Sequence, residues 1–88
     1  MKRTYIFYND ASHAWMAVTK EDINKLKFKY RISSCSYIFK ETIYLEEDCD
    51  APLFLKEAKN NGWDITIKEH HKDRPDIRNL CPYDSRYI

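Results

Sequence analysis

At 88 residues the chain is long enough for one folded domain and too short for two, and a chain of this size buries roughly two thirds of its surface on folding. A composition of 43% hydrophobic and 15% aromatic residues, with one glycine and three prolines, excludes a disordered or linker-rich chain. Fifteen basic and fourteen acidic residues leave a net charge of +1, which excludes whole-chain attraction to nucleic acid or to an anionic membrane.

The first strand is expected at Thr4 to Tyr8, a β-branched and aromatic run that ends at Asn9-Asp10 and is apolar enough for an interior position. Asp10 to His13 then forms a turn, and Trp15-Met16-Ala17-Val18 returns as a short strand beside the first. Thr19 caps a short helix over residues 20 to about 27, with Glu21 and Asp22 in its first turn and Ile23 and Leu26 on its apolar face. From Lys25 the pattern changes. Lys25, Lys27, Lys29 and Arg31 alternate with Leu26, Phe28, Tyr30 and Ile32, a period of two that predicts extended chain with Phe28 and Tyr30 in the core.

Ser34 to Phe39 and Thr42 to Leu45 read as a hairpin joined by Lys40-Glu41. Asp48 or Asp50 caps a second helix, with Pro52 in its first turn, Leu53, Phe54 and Ala58 facing the core, and Gly62 as its stop. Trp63 to Ile67 alternates as a last strand. The expected architecture is therefore a single α+β domain over residues 1–70, followed by a polar tail over 71–88 packed on it. Its sheet is antiparallel, with four to five strands and two helices on one face. Apart from the extra short strand, the element order is the βαββαβ of ferredoxin-like folds.

Charge is unevenly distributed along this frame. Residues 1–44 carry eight basic and four acidic groups, residues 45–61 two and five, and residues 62–88 five of each, giving +4, −3 and 0. Cys35, Cys49 and Cys81 are an odd, widely spaced set without a Cys-x-x-Cys pair, as expected of reduced thiols in a cytoplasmic protein. Asn9-Asp10 stops the apolar run Tyr5-Ile6-Phe7-Tyr8 well short of a signal-peptide core or a membrane span, so neither export nor membrane insertion is expected.

Four blocks, Tyr8-Asn9-Asp10-Ala11-Ser12-His13-Ala14-Trp15, Ile32-Ser33-Ser34-Cys35-Ser36-Tyr37, Tyr44-Leu45-Glu46-Glu47-Asp48-Cys49-Asp50-Ala51 and Ile77-Arg78-Asn79, resemble an uncharacterised family of small bacteriophage and mobile-element proteins. The first three span most of residues 8–55. The resemblance implies a genetic context and no mechanism. The chain departs from the family pattern at Ala14, where glycine is usual, at Cys35, and at Lys27 near another usual glycine. Lys27 argues against a glycine-type helix stop there.

The densest chemical signal is Glu46, Glu47, Asp48 and Asp50, four carboxylates within five residues at a strand-to-helix junction. Such a cluster can hold Mg²⁺ or Ca²⁺, dock on a basic partner, or simply cap a helix and offset its dipole. In an extended strand Glu46 and Asp48 share one side and Glu47 the other, which works against convergence on a metal. Asp10, Ser12 and His13 contain the residue types of a hydrolytic triad but lack a nucleophile elbow. His70, His71 and Cys81, with Cys49 or Cys35, lack zinc-finger spacing, and Cys35 and Cys49 read as small buried hydrophobes. Tyr83, Arg86 and Tyr87, with Arg74 and Arg78 before them, are residue types of interface hot spots or of simple sheet cover.

The expectation is a non-enzymatic protein without cofactor or metal. It binds a host or defence-system protein through Glu46, Glu47, Asp48 and Asp50, with His13 and Trp15 alongside. The alternative is a single-stranded nucleic-acid binder using Lys25, Lys27, Lys29 and Arg31. A metal-dependent hydrolase or nuclease is third.

Overall fold

A computed structural model describes residues 1–9, 12–73 and 75–88, and among these the side chains of all but 70–73 and 75. Its elements in chain order are β1 (Lys2–Asn9), β2 (Ala14–Thr19), α1 (Lys20–Lys25), β3 (Tyr37–Phe39), β4 (Thr42–Glu46), α2 (Asp50–Asn60), β5 (Asp64–Asp73) and β6 (Cys81–Pro82). Short 3₁₀ turns lie at Lys29–Arg31, Pro75–Asn79 and Ser85–Tyr87. The result is a small α+β domain with one six-stranded mixed sheet in the order β5-β1-β2-β4-β3-β6. No helix among the described residues is long and apolar enough to cross a membrane.

The all-antiparallel, ferredoxin-like sheet of four to five strands is corrected on two counts. β1 lies between β5 and β2, and it pairs antiparallel with β2 but parallel with β5. The cause is the hairpin. β1 and β2 are both apolar and pair along their length, so β1 fills the place where a ferredoxin-like sheet sets its last strand against the first helix-linked one. β2 also pairs antiparallel with β4, so β4 runs in the direction of β1 and β5, and α2 is the crossover that joins two parallel strands. The sixth strand comes from the tail, where Cys81–Pro82 pairs with Tyr37 and Ile38.

Strand alternation divides the side chains between two faces. Met16, Val18, Ile43, Leu45 and Tyr5 face the helices and pack with Ile23, Phe28, Ala51, Phe54 and Ala58. Phe54 takes Tyr5 and Phe28 edge-on, with ring centroids 5.7 and 5.4 Å away, contacts worth about 0.5–1.5 kcal/mol each beyond area burial. The opposite face carries Trp15, Tyr44, Tyr37 and Tyr8, and the tail covers part of it through Ile77 and Leu80. Tyr83 reaches the helix-side core, its hydroxyl donating to the Lys29 carbonyl at 2.6 Å.

Both helix stops are Schellman motifs. Gly62, at φ 79°, follows α2, and the amides of Gly62 and Trp63 donate to Lys59 and Ala58. After α1 the same pattern recurs with Lys27 at φ 52°, the amides of Lys27 and Phe28 donating to Asn24 and Ile23. The expectation that Lys27 argues against such a stop is therefore overturned, because the paired carbonyls outweigh the left-handed strain of a side chain. Lys27→Gly is expected to raise unfolding stability by about 0.5–1 kcal/mol in urea, and a loss would refute the strain.

The same stop breaks the expected extended run. The chain turns at Lys27 and coils at Lys29–Arg31, leaving Phe28 buried and Tyr30 78% exposed rather than in the core. Thr19 caps α1 as expected, its Oγ1 accepting from the Asp22 amide at 3.2 Å.

Candidate functional site

The junction between β4 and α2 is built differently from the helix cap that the acids suggest. α2 starts at Asp50, its cap position is Cys49 with no side-chain hydrogen bond, and neither Asp48 nor Asp50 caps it. β4 ends at Glu46, and the chain then turns through Glu47, Asp48 and Cys49. Within that turn the Asp48 amide donates to Glu46 Oε2 at 2.8 Å, and the Glu47 amide donates to the Ala14 carbonyl at 3.0 Å. Because the strand has ended, the alternation that would separate Glu46 and Asp48 from Glu47 no longer applies.

The four acids go to two places. Asp50 points inward and is 2% exposed; it accepts from the Ser33 amide at 3.0 and 3.1 Å, from Ser33 Oγ at 2.8 Å and from Ser36 Oγ. Ser36 Oγ in turn accepts from the Glu46 amide at 3.0 Å, so Asp50 ties the loop before β3 to the end of β4. Asp50 is consequently an internal strut and no part of a contact surface. Glu46, Glu47 and Asp48 instead gather with His13 from the β1–β2 loop, each offering one ligand atom within 4.8 Å of the others.

His13, Glu46 and Asp48 of this group form one wall of an open cleft of ≈ 340 Å³, and Glu47 lies outside its lining. Trp15 and Tyr37, edge to face at 5.9 Å, line it together with Cys35, Cys49 and Arg78. Trp15 is 2% exposed, so it supports the cleft from within rather than standing on the surface. Its indole N–H donates to the Cys35 carbonyl at 3.4 Å, His13 leans on its ring at 6.1 Å, and the Arg78 guanidinium lies 5.4 Å over its ring. Arg78 also donates to Ser12 Oγ at 3.4 Å, which draws the tail turn across the sheet to the β1–β2 loop.

Cys35 and Cys49 are exposed, contrary to the expectation of buried thiols, because the loops that carry them end at the cleft mouth. The Cys49 thiol is pushed up to about 11, first by its hydrogen-bond interaction with the Glu46 carboxylate, then by desolvation and the Cys35 thiol beside it. The neighbouring carboxylate thus disfavours the thiolate form of Cys49.

The other sequence candidates lie apart from the cleft or outside the described residues. Asp10 and Arg74 are outside them, as are the side chains of His70 and His71, so neither the Asp10-Ser12-His13 group nor the histidine-cysteine group is described in full. Cys81 lines a separate cleft with Phe39 and Tyr87. Lys25 pairs with Glu21 at 3.1 Å, and Arg31 pairs with Glu57 at 3.2 Å while lying over the Phe28 ring. Lys29 lies over the ring of Tyr30. Sequence reasoning named Arg78 only as a tail residue of interface type, and it did not bring Arg78, Tyr37 and the neighbouring free thiols of Cys35 and Cys49 together at this cleft. The signals available for them were the Ile32 to Tyr37 and Ile77 to Asn79 blocks.

No protein-family model, curated protein or solved structure matches the chain.

Proposed function

We propose that the protein acts by stoichiometric binding, as a phage or mobile-element accessory protein that occupies and inhibits a host or defence protein in the bacterial cytoplasm. The observation that carries this reading is a carboxylate rim above an aromatic floor. Exposed Asp48 and buried Glu46 edge a cleft whose base is Trp15 and Tyr37, with half-exposed His13 beside them and half-buried Glu47 next to Asp48 in the turn. The carboxylate rim complements a basic segment of a partner, since clustered charge steers encounter. Tyr37 and Arg78, which also line the cleft, are of residue types enriched among interface hot spots.

The testing variant is Glu47→Lys/Asp48→Lys, which leaves the buried Asp50 strut intact. Surface changes of this kind shift stability by about 0.5 kcal/mol or less, so the fold is expected to survive. The wild-type chain is expected to capture one protein equally from nuclease-treated and untreated bacterial lysate, and the double variant to lose it. Retention by the charge-reversed chain would overturn the surface.

One observation favours the nucleic-acid reading as the second choice. Tyr30 is 78% exposed beside Lys29, with Lys27 on the same loop and Lys25 at the end of α1, a stacking ring next to phosphate-neutralising groups. The ion pairs of Lys25 with Glu21 and of Arg31 with Glu57 work against it. Capture that vanishes with nuclease and falls steeply with salt would move the assignment to this loop.

A further inference from the structure

The carboxylate at the cleft wall has a feature that partner docking does not explain. Glu46 is 6% exposed, and while its Oε2 accepts from the Asp48 amide, its Oε1 is buried without a hydrogen-bond partner. His13 Nδ1 lies 3.3 Å from this oxygen without hydrogen-bond alignment. A buried carboxylate oxygen without a donor costs free energy unless something else compensates its charge. His13, Glu47 and Asp48 present further donor atoms to the same point, all four within 4.8 Å of one another.

We propose that His13, Glu46, Glu47 and Asp48 form a binding site for a first-row divalent cation, with Zn²⁺ preferred over Mg²⁺ and Ca²⁺. Ligands about 2.0–2.2 Å from a zinc ion lie about 3.3–3.6 Å apart around a tetrahedron, so the most separated of the four atoms need to close by about 1.2–1.5 Å. Exchanging the inward-turned Asp50 for an imidazole from another loop decides the metal class. A set of four carboxylates suits Mg²⁺ or Ca²⁺, whereas imidazole with carboxylates suits zinc and its neighbours. Two exposed turns supply the ligands, the β1–β2 loop and the β4–α2 turn, so the ion would staple one to the other. Glu46 is the anchor because β4 and Ser36 already hold its backbone. The site does not depend on the proposed partner, because the ligands all come from this chain.

The test is titration of the full chain, in separate runs, with ZnCl₂, MnCl₂ and MgCl₂ at neutral pH, by calorimetry and thermal melting. Zn²⁺ is expected to bind one to one and, at hundredfold excess over its Kd, to raise Tm by about 10 °C, with Mg²⁺ far weaker. His13→Ala and Glu46→Gln are each expected to weaken Zn²⁺ at least about tenfold, as loss of one ligand does. Cys35→Ser/Cys49→Ser and His70→Ala/His71→Ala are expected to retain it. Should Glu46→Gln fail to fold, His13→Ala alone decides, because its ring is 44% exposed and little packing is lost. The site is overturned if no ion gives heat or a shift, if His13→Ala binds like the wild type, or if only the cysteine or the adjacent-histidine variant loses zinc.

Discussion

Asp50→Ala is expected to lower the unfolding free energy by about 3–5 kcal/mol, measured by urea denaturation. The carboxylate is 2% exposed and receives the Ser33 amide and the hydroxyls of Ser33 and Ser36, the latter fully buried. Removing it leaves those donors buried and unpaired, and water is excluded from the Ser36 position. Hydrogen bonds to a charged group contribute about 1.5–3 kcal/mol each and are not additive, which sets the range. Asp48→Ala, two residues away and exposed, is expected to stay within about 0.5 kcal/mol of the wild type. Equal effects at the two positions would refute the division of the acid cluster into an internal strut and a surface rim. The consequence for the cleft is direct. The 33–36 loop carries Cys35, whose carbonyl accepts from Trp15, so loss of the strut also loosens the cleft wall.

Asp22→Ala is expected to cost about 3 kcal/mol, through a second buried carboxylate with a different role. Asp22 is 2% exposed in the first turn of α1, and it accepts from the Tyr5 hydroxyl at 2.7 Å and from Arg3 Nε at 2.9 and 3.1 Å. It locks the helix to the start of β1, with Arg3 stacked over Trp63 at 5.5 Å. Burial, then the hydrogen bond to Asp22, holds the Tyr5 hydroxyl far above its usual range despite the opposing Arg3 charge. The sign follows from the raised value. An unfolded tyrosine ionises near pH 10 while folded Tyr5 keeps its proton, so the contribution is complete below about pH 10 and is lost as pH rises above it. The stability difference between the wild type and Tyr5→Phe is therefore expected to shrink above pH 10. A constant difference would show that Tyr5 does not hold its proton.

Much of the fold was legible in the sequence, and the failures have identifiable causes. β1, β2, the Thr19 cap, the β3–β4 hairpin and Gly62 as the stop of α2 all follow from local patterns, because strand alternation, a hydroxyl cap and a left-handed glycine act within a few residues. The Lys25 to Arg31 alternation misled because period two needs continuous extended chain, and the positive φ at Lys27 interrupts it. The tail read as polar cover, yet Ile77 and Tyr83 enter the cores and Cys81–Pro82 adds a strand. Two or three apolar residues in a polar segment carry no period and become core only where a sheet face awaits them.

The candidate site divides along the same line. That four carboxylates sit at the junction of β4 and α2, with an aromatic strand nearby, was readable from the chain, because composition and local pattern are properties of neighbours. What each acid does depended on long-range contacts. Asp50 met Ser33 and Ser36 and became a strut, Glu46 turned inward toward His13 with one oxygen unmatched, and Glu47 and Asp48 stayed toward solvent. Adjacent carboxylates are chemically alike, and their roles separate only when residues distant in sequence bring donors to some of them and leave the others to solvent.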